Sequence, residues 1–188
     1  MGKVNEADVA KLLAYFRQLP LDFQANAPEF NYTSAVLVLA DAVLSAHRKY
    51  EGFVKPRLGL LRAQNPPLAT LDDLLGLIER VSVDGFCKVW NYQYPDKVKT
   101  LQELAGYFKH YQLKHQTAND MSALKHWANA VSPADFPSFR VPGIGFTTFQ
   151  YLRMLCGADT TPLRDQEACG SEVAAYSLSP NRVRRELQ

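Results

Sequence analysis

The sequence predicts an all-α fold, and three observations predict it. Apolar residues recur every three or four positions in one stretch after another. Nothing alternates with a period of two over a useful length, so no strand is expected. Residues that start and stop helices stand at the ends of the periodic stretches.

The first stretch carries Val9, Leu12, Leu13, Phe16 and Leu19 on one face, with Asn5 as its N-cap and Pro20 as its stop. The second runs from near Thr33 to about Tyr50. Its apolar residues nearly encircle it, which predicts a central core helix ending in the cations His47, Arg48 and Lys49. Thr70-Leu-Asp-Asp starts a third helix through Ile78. Thr100-Leu-Gln-Glu103 reads as the capping box of a fourth, reaching about Tyr111. Asn119 caps a fifth, with Met121, Leu124, Trp127, Ala128 and Val131 at helical spacing. Asn65-Pro66-Pro67 and Asp84-Gly85 read as turns. After Asp159 the periodicity fades. A single helical domain over 1–160 is therefore expected, followed by a divergent tail over 161–188.

Composition narrows the class. With 188 residues, 47% of them apolar, the chain can bury a core without staples. Its 21 basic and 19 acidic residues leave a net charge of +2, so only local charge can speak for a polyanionic partner. Cys87, Cys156 and Cys169 lie at no metal-ligand or disulfide-framework spacing, which predicts reduced thiols. The longest apolar stretch, Ala35 to Leu44, contains Asp41 and is about half the length of a membrane span. The start of the chain lacks the pattern of a signal peptide. A cytoplasmic protein without a membrane partner is the expectation.

The most informative segment is Val141-Pro-Gly-Ile-Gly145-Phe-Thr-Thr148. Pro142 stops the preceding element, and Gly143 and Gly145 allow a tight turn with close backbone approach. Apolar periodicity resumes at once with Phe149, Leu152 and Leu155, so the turn feeds directly into a helix. Such a helix start presents unpaired N–H groups, a phosphate-binding geometry. From the pattern alone, an ordinary helical connection reversed by Pro and Gly is an equal alternative.

This hairpin, Val141-Pro-Gly-Ile-Gly145 followed by Thr147-Thr148, closely resembles that of the helix-hairpin-helix DNA glycosylases, the superfamily of endonuclease III. Ala42-Val-Leu-Ser-Ala46 with His47-Arg48-Lys49 looks like that family's early core helix, which ends near the damaged-base pocket. Thr70-Leu-Asp-Asp-Leu-Leu and Leu101-Gln-Glu-Leu-Ala look like the helices that follow, so the likeness spans residues 30 to 160. The resemblance implies a DNA-glycosylase-like helical bundle that binds double-stranded DNA. Gly143, Ile144, Gly145 and Thr147 would hold a phosphate through backbone amides, and a monovalent cation would sit on hairpin carbonyls. Arg48 and Lys49 would contact DNA.

The family's catalytic carboxylate follows the hairpin by roughly twenty residues and assists departure of a flipped base. Asp165 stands twenty residues past Gly145 and is the candidate; Asp159, at fourteen, comes too early. The surroundings, Leu163-Arg164-Asp165-Gln166-Glu167, depart from the family's, where a His follows two positions on. Thr147 occupies the place of the lysine that forms a Schiff base in the lyase branches, so activity would be monofunctional N-glycosylase activity. The cysteines of the iron–sulfur branch are missing. Only 23 residues follow Asp165, and they do not resemble the family's closing helices. The alternative is thus a catalytically inactive helical scaffold that binds DNA or a protein partner, or forms a homodimer.

Further candidates come from charge. Arg48, Lys49, Lys55, Arg57 and Arg62 cluster against one acid, Glu51. Lys88, Lys97, Lys99, Lys109 and Lys114 are spread among Trp90, Tyr92, Tyr94, Tyr107 and Tyr111, a mixture suited to phosphates and unstacked bases, or to a solvated surface over core aromatics. Arg182, Arg184 and Arg185 add cations to the tail. The histidines 47, 110, 115 and 126 have no metal-ligand spacing, and no metal site is expected.

Overall fold

The computed structural model describes residues 32–46 and 48–158, together with Lys11, Ala14 and Tyr15. The chain divides into two compact units, residues 1–31 and 32–188. In the first, the three described residues are helical and exposed. Its expected cap at Asn5 and stop at Pro20 lie outside the described residues. So do His47, the expected boundary at 160, Asp159, Cys169, the tail arginines and the candidate Asp165.

The second unit is all-α, with no strand among the described residues. In order it contains α1 (Ala35–Ser45), a π-helical turn (Tyr50–Val54), α2 (Lys55–Arg62), α3 (Leu71–Val89), α4 (Pro95–His115), α5 (Asp120–Ala130), a 3-10 turn (Pro133–Ser138) and α6 (Phe146–Leu155). Helix α1 is the central strut: Val36, Val38, Leu39, Ala40, Ala42 and Val43 are completely buried. It packs chiefly on α4 and α6 and also touches α2, α3 and α5. Among the described residues no helix is long and apolar enough to cross a membrane.

Local chemistry explains the boundaries. Helix α1 stops at Ser45 rather than near residue 50, because its apolar pattern ends at Ala46, whose backbone leaves the helical region. The Tyr50 hydroxyl meets that of Tyr32 at 3.1 Å, drawing the chain into the π-turn. Thr70 caps α3 as expected: its Oγ1 accepts from the Asp73 amide while Asp73 accepts from the Thr70 amide. Helix α3 then continues past Ile78 to Val89 with a kink at Ser82, at φ 66° and ψ 168°. The break therefore falls at Ser82, not at Asp84-Gly85. The Ser82 Oγ accepts from the Gly85 amide and caps the second half. Gly85 is small because a Cβ there would stand 3.0 Å from Val81 Cβ.

Thr100 does not start a helix. Pro95 occupies the first turn of α4, where its fixed φ suits the start and its missing N–H costs nothing, and Thr100 is buried mid-helix. Asn119 caps α5 as its spacing predicts, accepting from the Ser122 amide at 2.9 Å. Leu71 at the head of α3 donates its amide to Asp120 on α5, a buried carboxylate that also meets Lys109 of α4.

Candidate nucleic-acid interface at the hairpin

The hairpin is held by its apolar residues. Val141 and Ile144 are buried, and the Ile144 amide donates to the Val141 carbonyl, closing a turn over Pro142 and Gly143. Gly143 sits at φ +81°, where an L side chain is strained. An added Cβ there would collide with the Thr100 side chain of α4. Gly143 is therefore demanded by packing as well as by backbone conformation. The Ile144 amide is engaged in the turn.

Gly145 is different. It is the N-cap of α6, exposed, with extended backbone, and nothing stands within 4 Å of an added Cβ. Its carbonyl takes the first helical bond, from Phe149. The glycine thus opens space at a helix start, the end at which the helix dipole favours an anion. Thr147 lies half-buried in that turn. Arg140, one residue ahead of Val141 and exposed, adds a cation that the sequence reading passed over.

The element before the hairpin is the 3-10 turn rather than a full α-helix. Ser132 and Asp135 cap it reciprocally, and these hydrogen bonds hold the Asp135 carboxyl below its usual range. Phe136 in this turn meets Phe146 at 5.4 Å and Phe149 at 5.5 Å, fixing the start of α6. Phe139 packs on Phe149, Trp127 and Tyr107 at 4.9–5.4 Å. The hairpin is consequently anchored on an aromatic core.

Basic residues gather near the same end of α4. Arg48 and Lys49 are exposed between α1 and the π-turn. Burial, and then the Arg48 charge, push the Lys97 amine below its usual range. Lys97 and Thr100 are three residues apart on α4, neighbours on the helix surface. Thr100 lies under Gly143, so α4 places Lys97 one turn from the hairpin contact. Of the other expected basic–aromatic contacts, Trp90 is wholly buried and Lys109 is bound to Asp72 and Asp120. Core packing claims them.

A buried carboxylate braces this end. Asp41, fully buried in α1, accepts from Tyr32 and Ser45 at 2.6 Å each and from Tyr151 of α6 at 3.2 Å. Burial pushes its carboxyl above the usual range, against the lowering effect of the three hydroxyls. Asp41 thereby ties the hairpin helix to α1 and, through Tyr32 and Tyr50, to the π-turn beside Arg48. The one available signal was a single acid inside an otherwise apolar helix. Sealed from solvent, Asp41 holds these elements together through its three hydroxyl partners.

Among the described residues no three His, Cys, Asp or Glu side chains come together as a metal site. Cys87 and Cys156 are free and buried, and burial pushes both thiols up. A cleft of about 250 Å³ opens between the α2–α3 loop and α3, lined by residues including Asn65, Asp72 and Arg80, and none of the hairpin residues borders it. In comparisons with protein-family models, with curated proteins and with solved structures, nothing matches the chain.

Proposed function

We propose that this chain is a DNA-binding helix-hairpin-helix protein similar to base-excision DNA glycosylases. The hairpin takes a backbone phosphate of double-stranded DNA, and Arg48 and Lys49 contact the same duplex. Gly145 carries the reading: it leaves room at the head of α6, whereas Gly143 is already explained by Thr100. The aromatic base of the hairpin and the exposed cations Arg48, Lys49 and Arg140 support it. Phosphate contacts of this kind position the duplex and read no base sequence.

The test is fluorescence anisotropy of the full chain with duplex carrying a stable abasic-site analogue, beside undamaged duplex, at two salt concentrations. Gly145→Glu places a carboxylate in open space, so the fold is kept and phosphate is repelled. Salt-dependent duplex binding that is lost in this variant is expected. Equal binding by both proteins would refute the hairpin contact. For catalysis the proposal names a monofunctional N-glycosylase with Asp165 as its carboxylate. Asp165→Asn then abolishes base release while duplex binding persists. Duplex binding with no release of any base by the wild type would leave the non-catalytic scaffold as the function.

A further inference from the structure

The π-turn and the start of α4 form a second surface with its own chemistry. Phe53 carries the Arg57 guanidinium 3.8 Å from its ring centroid and that of Arg48 at 4.9 Å. Its ring meets Tyr92 edge-on at 5.8 Å, and Tyr92 meets Tyr94 at 5.6 Å. Inward, Tyr92 rests on the wholly buried Trp90 at 6.2 Å. The aromatic series thus runs from the core to Tyr94, which is 58% exposed. Tyr94 is the N-cap of α4 yet makes no side-chain cap bond, so its ring is not needed to start the helix.

The charges here are unbalanced. Arg48 and Arg57 come together over the Phe53 ring, and Lys97 lies three residues past Tyr94 on α4, one turn along the same helix. The nearest acid on the π-turn, Glu51, is paired with Lys55 at 3.0 Å, and Asp96 is exposed in the first turn of α4. Arg57 gives one N–H to the Phe53 carbonyl, while its Nε is buried without a hydrogen-bond partner. Gathering like charges over an aromatic surface costs folding energy, and a bound anion offsets that cost.

We propose that this surface binds single-stranded nucleic acid, with backbone phosphates at Arg48 and Lys97 and an unstacked base against Tyr94. Cations tracking a backbone beside an exposed aromatic ring match the requirements of single-strand binding. The aromatic ladder beneath Tyr94 keeps the ring ordered before the base arrives, which lowers the entropy lost on binding. The proposal rests on the nucleic-acid reading above and extends it to a second strand form, with Arg48 shared and Tyr94 and Lys97 added.

The experiment measures anisotropy of the full chain with a labelled oligothymidylate, with an oligomer of abasic units carrying the same phosphates, and with duplex DNA. Tyr94→Ala should weaken oligothymidylate binding about fivefold or more and leave the abasic oligomer unchanged, because only stacking is lost. Lys97→Gln and Arg48→Gln should weaken both oligomers and lower the salt slope by about 0.7 per phosphate contact removed. Gly145→Glu should spare both oligomers. Circular dichroism establishes that each variant is folded. Absence of single-strand binding by folded wild type, or equal binding by Tyr94→Ala, overturns this proposal. Duplex binding sensitive to Gly145→Glu in the same series would leave the hairpin reading standing. Single-strand binding with duplex binding indifferent to Gly145→Glu would do the reverse.

Discussion

Thr100 stands where a Cβ on Gly143 would have to go. Two glycines two residues apart therefore have separate causes, and their substitution separates folding from binding. Gly143→Ala meets both the positive φ and the Thr100 side chain, a loss of about 2–4 kcal/mol. Thr100→Ala in that background removes the nearest atoms and should recover part of it. Gly145→Ala, with open space and extended backbone, should stay within about 1 kcal/mol of wild type. Urea unfolding of the four proteins checks this; equal losses at the two glycines would contradict the assignment.

The Lys109 knot predicts an asymmetry between its two acids. Asp120 is buried and accepts from the Leu71 amide at 2.7 Å, while the Asp72 side chain is 69% exposed although it lies only 2.7 Å from Lys109. Asp120→Ala strands a buried N–H at the head of α3, a cost of about 2–3 kcal/mol. Asp72→Ala removes a solvent-screened pair worth about 1 kcal/mol or less. Thermal unfolding of both variants decides it, and a larger loss for Asp72→Ala would show that the short distance outweighs burial.

What was legible in the sequence follows from the range of each signal. Caps at Thr70 and Asn119 are local hydrogen bonds within four residues, so they could be read directly. The all-α class followed from periodicity, which needs no knowledge of neighbours. Thr100 misled because a capping-box pattern also fits a threonine that packs mid-helix, and only Gly143, 43 positions later, shows why it is there. Asp84-Gly85 misled similarly, since Gly85 answers to the close Val81 contact and the break lies at Ser82. At the candidate interface the hairpin glycines and Arg48 were visible as motif and charge. Asp41 as a brace depends on contacts between distant segments, which no short window contains.

Across the α4–α5 contact, His115 stacks on Tyr111 at 4.1 Å and lies 5.2 Å from the His126 ring. Desolvation, then His126 and Lys114, lowers the His115 titration below its ordinary value of 6.5. Proton NMR should therefore find His115 less than half charged at a pH where a free imidazole is half charged. His126→Gln and Lys114→Gln should each move its midpoint upward. A midpoint at or above 6.5 in the wild type would remove the basis for this coupling.

The Asp41 brace predicts a specific pH dependence. Its carboxyl is raised by burial, so the folded state keeps a proton that the unfolded chain releases above about 3.8. Between that value and the raised folded value, stability falls as pH rises, by at most about 1.4 kcal/mol per pH unit. The hydrogen-bonded caps Asp73 and Asp135 act oppositely: their lowered values make stability rise with pH, in a window below 3.8. The tyrosines touching Asp41 do not confuse the measurement, since burial raises the Tyr32 and Tyr151 hydroxyls far above it. Asp41→Asn keeps an acceptor for Tyr32 and offers an amide N–H to hydroxyls that can turn to receive it. Its stability relative to wild type should therefore climb with pH above about 4 and level off once the pH passes the raised value of the folded carboxyl. Urea unfolding at half-unit pH steps reads the difference directly. A constant difference across that range would mean that Asp41 is ionised throughout, held by its three hydroxyls alone.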